Sequence, residues 1–189
     1  MIKNIFIPFF LIFFIFTPHL KSKEILIKSN SIKIQLTTQD GKYSLITKGI
    51  INAPAEYVWF VLNDFNNHSN FIPNTKKSII LKKKGNIMLV YKEIRVPFSI
   101  ISYTMQVKTF HKKMILKYNQ TSGYFVINRG SWTIKKISKN KTLLIYYSEL
   151  KTKNYIPPFL QEIAFRKSIP DFYKAIEKKS TSINHIKYN

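Results

Sequence analysis

The chain has 189 residues, no cysteine, and 31 lysines and arginines against 9 acids, a formal net charge of +22. At ~100–200 residues per domain this is one domain with a short extra segment, and a hydrophobic content of 45% excludes a disordered basic tail. The missing cysteines exclude a disulfide framework, a thiolate zinc site and a cysteine nucleophile, and neither G-x-x-x-x-G-K-S/T nor G-x-G-x-x-G occurs to cradle a phosphate.

The N-terminus reads as an address rather than as part of the fold. Lys3 precedes an apolar stretch over residues 5–16. As a helix that stretch would rise only ~18 Å, short of the ~30 Å hydrocarbon core. A positive residue followed by a short apolar region is the pattern of a secretory signal. No small-x-small cleavage site stands in the polar stretch that follows, so an uncleaved anchor stays open beside a cleaved signal. The expected division is therefore a signal or anchor over 1–22, one domain over 23–182 and a tail over 183–189. Export to the periplasm or the exterior is the corresponding expectation.

Residues 24–36 alternate and are rich in isoleucine, which predicts strand. Asp40-Gly41 is a turn signal before a second strand over 43–51. Asn52-Ala53-Pro54 and Glu56 then mark a helix start, and this first helix carries Val58, Trp59, Val61 and Leu62. A second short helix over 67–71 stops at Pro73. From 77 to 150 the pattern predicts six strands, over 78–81, 87–94, 98–110, 114–119, 123–137 and 142–150, with short turns between them. Short connections imply an antiparallel meander. A long helix over 158–179 closes the chain. Phe165, Ile169, Phe172 and Ile176 form one apolar stripe on it, Ile156, Leu160 and Ile163 a second roughly opposite, and Pro170 interrupts it. The layout is α+β.

The charge is almost all lysine, with Arg95, Arg129 and Arg166 the only arginines. Arginine is the residue preferred for bidentate phosphate and base recognition, and no nucleic-acid motif accompanies the charge, so nucleic acid is not an expected partner. Codon bias with solubility, or attraction to an anionic membrane surface, accounts for the lysines.

Four pieces of sequence, in order, carry a resemblance. Residues 50–65 (IINAPAEYVWFVLNDF) match an apolar-x-Ala-Pro-x-x-x-Val-Trp-x-x-Leu-x-Asp-Phe phrase, and Phe71-Ile72-Pro73 a following Phe-x-Pro. Gly130-Ser131-Trp132 with Lys141-Thr142 matches a Gly-x-Trp and Lys-Thr strand pair, and Ile156-Pro157 leads into a helix through Ile169-Pro170-Asp171-Phe172. Over about residues 30–180 the chain resembles the START-type helix-grip superfamily (SRPBCC), nearest to START lipid-transfer and coenzyme Q-binding, polyketide cyclase-like domains. The resemblance implies a curved antiparallel sheet of about seven strands wrapped around a long C-terminal helix, with two short helices near the start. It also implies a tunnel between sheet and helix for a lipid, quinone or similar molecule, gated by the loops at 71–73, 95–98 and 155–158. START domains often carry an Arg-Asp pair in the strand after a Pro-Phe phrase. Residues 97–103 here lack it, which leaves a less polar ligand as well matched as a phospholipid.

Parity within 98–110 places Ser99, Ile101, Tyr103, Met105 and Val107 on the more apolar, inward face. The candidate cavity-lining residues are Val90, Tyr103, Met105, Tyr118, Phe125, Tyr146, Phe159 and Ile163. Glu93, Arg95 and Glu149 are charged residues within strands, open to three roles: a salt bridge on the rim, a polar anchor in the pocket, or a general base. Glu93 and Arg95 share one face by parity. His68 and His111 have no metal-spaced partner, and no G-x-S-x-G elbow occurs. No catalytic residue, metal or cofactor is assigned. The expected protein is a monomeric carrier of a hydrophobic small molecule. A cyclase or dehydratase on the same fold, with Glu93, Glu149 or Tyr103 as its acid–base group, and a filled-core partner-binding module are the alternatives.

Overall fold

Alternation of β-branched or aromatic residues with polar ones folds most of the domain into strands. The computed structural model describes residues 23–29, 32–96, 99–154 and 156–183. The expected signal or anchor, Pro97 and Phe98, Tyr155, and residues 184–189 of the expected tail lie outside them.

Among the described residues nine strands form one sheet: β1 (Lys23–Ser29), β2 (Ile32–Gln39), β3 (Lys42–Ile51), β4 (Thr75–Lys84), β5 (Ile87–Val96), β6 (Ser99–Phe110), β7 (Ile115–Gly123), β8 (Phe125–Ser138) and β9 (Lys141–Thr152). Their order is β1-β2-β3-β9-β8-β7-β6-β5-β4, and every neighbouring pair is antiparallel. The long link from β3 to β4 carries α1 (Ala55–Asn63), a 3-10 turn (Phe65–Asn67) and α2 (His68–Phe71), and α3 (Pro158–Thr181) ends the domain. This is the helix-grip arrangement. The sheet has more strands than the seven expected. One reason is local: the run over 24–36 reverses between Ser29 and Ile32, which pair with each other, so it forms two strands where sequence alternation reads as one.

Local chemistry explains the boundaries. Asp40 (φ 51°) and Gly41 (φ 69°) make the two-residue link between β2 and β3, a turn with both central residues left-handed, which matches the twist of the flanking strands. Pro54 caps α1 rather than standing inside its first turn, and Glu56 lies in that turn. Pro170 sits inside α3, where its ring nitrogen cannot donate to the preceding turn. Register shifts in β4–β5, β6–β7 and β8–β9 mark bulges, the device that bends a sheet.

The inner face of the sheet carries two apolar clusters. The first joins Ile34, Leu36, Leu45 and Ile51 of β2 and β3, Leu144 of β9, Val58 and Val61 of α1, and Ile169, Tyr173 and Ile176 of α3. The first of the two α3 stripes makes this contact, through Ile169 and Ile176 with Phe165 and Phe172 half-buried beside them. Ile183, first residue of the expected tail, also packs here. The second cluster joins Met88, Val90, Met105, Val107 and Leu116 of β5–β7 with Phe65. Half-buried Trp59, Ile80, Tyr103, Tyr118 and Trp132 pack against it. Its members come from the sheet, α1 and the 3-10 turn, whereas α3 is spent on the first.

Candidate functional site

Strand parity sets which side chains meet inside. In β5, β6, β7 and β9 the inner series run Met88-Val90-Lys92, Ile101-Tyr103-Met105-Val107, Leu116-Tyr118-Gln120 and Leu144-Tyr146-Ser148. The cross-strand pairs Val90 with Met105 and Lys92 with Tyr103 hold them in line. The structure thus brings Val90, Tyr103, Met105, Tyr118 and Tyr146 together on the inner face. Phe125 joins them, meeting the Tyr103 ring edge-on at 5.5 Å between centroids.

Two glycines make room for this interior. A side chain at Gly130 of β8 would come within 2.2 Å of the Tyr147 carbonyl and 2.8 Å of the Tyr118 hydroxyl. The Tyr118 hydroxyl lies 2.8 Å from that of Tyr146 and 3.0 Å from Ser148 Oγ. Two residues on, the Trp132 ring stacks on Tyr146 (3.7 Å, 9°) and on Phe172 of α3 (4.7 Å, 22°). The Gly-x-Trp phrase therefore has a packing meaning: the glycine admits a phenol and the tryptophan ties the sheet to α3. Gly49 of β3 does the same for Tyr173, whose ring would stand 2.5 Å from an added Cβ. Tyr173 donates to the Leu144 carbonyl (3.0 Å) and accepts from Thr47 (2.8 Å). Burial pushes the phenols of Tyr103, Tyr118, Tyr146 and Tyr173 up from their ordinary range, so all four are neutral hydroxyls at physiological pH.

Four polar groups of this interior lie outside the sequence candidates: Ser78, Lys92 and Gln120 on the sheet, and His68 of α2, which the sequence raises only as a histidine without a metal-spaced partner. His68 Nε2 lies 3.2 Å from the Val61 carbonyl and Nδ1 lies 3.1 Å from Lys92 Nζ. The carbonyl can only accept, so Nε2 carries the proton and Nδ1 accepts from the ammonium. Burial, then the Lys92 charge, hold His68 well below its ordinary pKa, so it is neutral. Lys92 is buried, its ammonium lies 5.5 Å from the centre of the Phe65 ring, and desolvation brings its pKa down to about 8. Ser78 Oγ and Gln120 Oε1 are buried without a hydrogen-bond partner. A signal for Lys92 was present in the alternation Met88-Val90-Lys92, which carries a lysine onto the apolar side.

Other sequence candidates lie elsewhere. Glu93 and Arg95 alternate with Lys92 and so stand on the outer face, where Glu93 accepts from the Tyr91 hydroxyl at 2.7 Å. Glu149 is also on the outer face, paired with Arg129 and bonded to Tyr147 at 2.7 Å. None of the three points into the interior, a correction that follows from the parity that sends Val90, Lys92 and Ser148 inward. Phe159 and Ile163 are each 61% exposed on α3. They precede Phe172 and Ile176 by thirteen positions, which at 100° per residue puts them about 140° off the packed stripe, so they face solvent rather than a cavity. Beside Arg129 and Tyr147 the outer face has an open recess of about 400 Å³ reaching Lys108, Lys117 and Gly130. Among the described residues no cluster of histidines and acids could hold a metal, and no helix is long and apolar enough to cross a membrane.

Known folds agree with this geometry. A STAR-related lipid transfer protein from Xanthomonas axonopodis superposes with a TM-score of 0.70 at 16% identity, over 84% of this chain and 99% of that one. Human STARD10 superposes with a TM-score of 0.70 at 12% identity, over 85% and 74%. The Zhui aromatase/cyclase of a Streptomyces species superposes with a TM-score of 0.67 at 17% identity, over 74% and 94%. At such identities the likeness is one of fold. No curated protein matches the chain in sequence. The family description "Polyketide cyclase / dehydrase and lipid transport" does match, over residues 51–177, from the end of β3 through most of α3. With that match over most of the chain, and the sheet, short helices and closing helix in the expected order, the protein belongs to the polyketide cyclase/dehydrase and lipid transport family.

Proposed function

We propose that the protein is an exported carrier that holds a hydrophobic ligand against the inner face of the sheet. One observation carries the reading: α3 packs its apolar stripe on the β2, β3 and β9 side, while the β5–β7 side holds a separate apolar cluster fringed by half-buried Tyr103 and Tyr118. An apolar wall with a few polar groups is the usual lining of a small-molecule site. A ligand there would bind by removing apolar area from water, at ~25 cal/mol per Å². The family's lipid-transport activity supports this reading. The cyclase reading needs an acid–base group in the interior; the carboxylates of Glu93 and Glu149 point away from it, and Tyr103, the candidate that does face inward, is a phenol whose proton burial holds more tightly than usual.

Export is proposed from the Lys3 and apolar 5–16 pattern alone. The lysine excess, with Phe159, Leu160 and Ile163 exposed near Arg166 and Lys167 on α3, suits transient docking on an anionic membrane surface that weakens as salt rises.

Native mass spectrometry of the protein purified from its own host, followed by organic extraction, tests the carrier. The expected result is a lipid or quinone bound in defined stoichiometry. An empty protein that also gains no thermal stability from a lipid panel would overturn the reading in favour of a filled-core module.

A further inference from the structure

Lys92 is a buried cation with unusual company. Its Nζ donates one hydrogen bond, to His68 Nδ1, and lies over the Phe65 ring. No carboxylate among the described residues lies within 4.0 Å of it. An ammonium has three donors, so two have no acceptor among those residues, and a buried charge without a counter-charge is expensive. Its neighbours across the sheet share the deficit. Ser78 of β4 pairs directly with Lys92, and its buried Oγ has no partner. Tyr103 of β6 pairs with Lys92 on the other side, and its hydroxyl makes no hydrogen bond to a described residue. Three adjacent strands thus set Ser78, Lys92 and Tyr103 in register on the inner face.

Such a row, beside an apolar cluster, fits an acceptor that carries negative charge. From this geometry we infer that Lys92, flanked in register by Ser78 and Tyr103, forms a binding site for the anionic oxygen head of an amphiphile, with its hydrocarbon laid against the half-buried fringe of the cluster, Ile80, Tyr103 and Tyr118. The inference rests on the carrier reading and adds the head-group chemistry to it. His68 is the positioning residue: with its Nε2 proton committed to Val61, it holds the ammonium by a neutral acceptor and leaves the positive charge for the ligand. A carboxylate or a phosphate monoester supplies the same oxygen chemistry.

Titration of the purified protein with oleic acid, oleoyl lysophosphatidic acid and methyl oleate, read by calorimetry, separates the alternatives. Wild type is expected to bind one or both acids at least tenfold more tightly than the ester, and the preferred acid names carboxylate or phosphate as the head. Lys92→Met is expected to cost the acids tenfold or more and leave the ester unchanged. Ser78→Ala and Tyr103→Phe, which remove single hydroxyls, should each cost the acids a smaller factor. Binding of acid and ester with equal affinity, unaltered by Lys92→Met, would overturn the anion site and leave the carrier intact. Binding of none of the three would overturn both.

Discussion

The two halves of the inner face solve the same problem in opposite ways. On the β3–β9 side, where α3 is packed, polar groups are matched: Thr47 with Tyr173, Tyr173 with the Leu144 carbonyl, Thr142 with the Ala53 carbonyl at 2.7 Å. On the β4–β7 side, Ser78 Oγ and Gln120 Oε1 lack partners and Lys92 lacks a counter-charge. Unmatched buried polar groups are few in folded proteins, and each calls for a reason. The matched half is a wall built to stay closed. The unmatched half has the chemistry of a surface waiting for a ligand. Gln161 Nε2 and Ser180 Oγ of α3 also lack partners, and nothing in the structure explains them, so the contrast holds for the sheet residues of the two halves.

The comparison is sharpest at Trp132, which like Trp59 packs against both halves. It packs against both apolar clusters and stacks on Tyr146 and Phe172. Trp132→Ala should therefore cost about 3–5 kcal/mol, as for other large-to-small core changes, measured as a shift of the urea midpoint at constant slope. A loss under 1 kcal/mol would mean that the α3 side is not the closed wall described above.

Lys92 gives an effect of nearly the same size and opposite sign. The group's pKa is about 8 in the folded protein against an ordinary 10.5. Between those values the unfolded chain holds a proton that the folded chain has lost, so stability rises with pH across that window, by roughly 3 kcal/mol at 1.36 kcal/mol per pH unit. The groups in contact with the ammonium are neutral His68 on α2 and Phe65 on the 3-10 turn, and Ser78 on β4 and Tyr103 on β6 flank Lys92 in the sheet. Lys92→Met should be more stable than wild type at pH 7 by roughly 2–3 kcal/mol, and the difference should shrink as pH rises towards 10. Taking the difference between the two proteins cancels the other lysines and the tyrosines. If Lys92→Met is destabilising at pH 7 in ligand-free protein, the cation has a partner and the two halves are alike.

Much of this contrast was legible in the sequence, and the part that was not has a physical cause. Alternation placed Ile101, Tyr103, Met105 and Val107 together, and period-3.6 spacing picked the packed stripe of α3, because both rest on local geometry. The same two rules placed Glu93 outward once Val90 was inward, and put Ile163 away from Ile176. Choosing those residues as site candidates weighed their side-chain chemistry above their phase. Lys92 escaped for the converse reason: a strand lysine in a chain with 31 basic residues reads as solvated surface, and only the meeting of β4, β5 and α2 shows it enclosed. The doubling of the first strand depended on a reversal between Ser29 and Ile32 without a glycine or proline to announce it.

Glu149 supplies the smallest effect and the control for the other two. It is the most connected acid among the described residues, bonded to Tyr147 and Arg129 and 3.8 Å from Lys42. Those contacts, the Tyr147 hydrogen bond first and then Arg129, hold its carboxyl below its ordinary range. The stability it adds is thus present above the unfolded carboxylate pKa and is lost as pH falls through the folded one. Yet the site is on the outer face, in reach of solvent and salt, where ion pairs are worth about 0–1 kcal/mol. Glu149→Gln should shift the neutral-pH urea midpoint by less than the equivalent of about 1 kcal/mol, with the shift fading in high salt. It should leave the binding of oleic acid unchanged, because the carboxylate stands on the opposite side of the sheet from Lys92. A change in acid affinity as large as that of Lys92→Met would mean that ligand recognition crosses the sheet, and the two faces could no longer be treated as chemically separate.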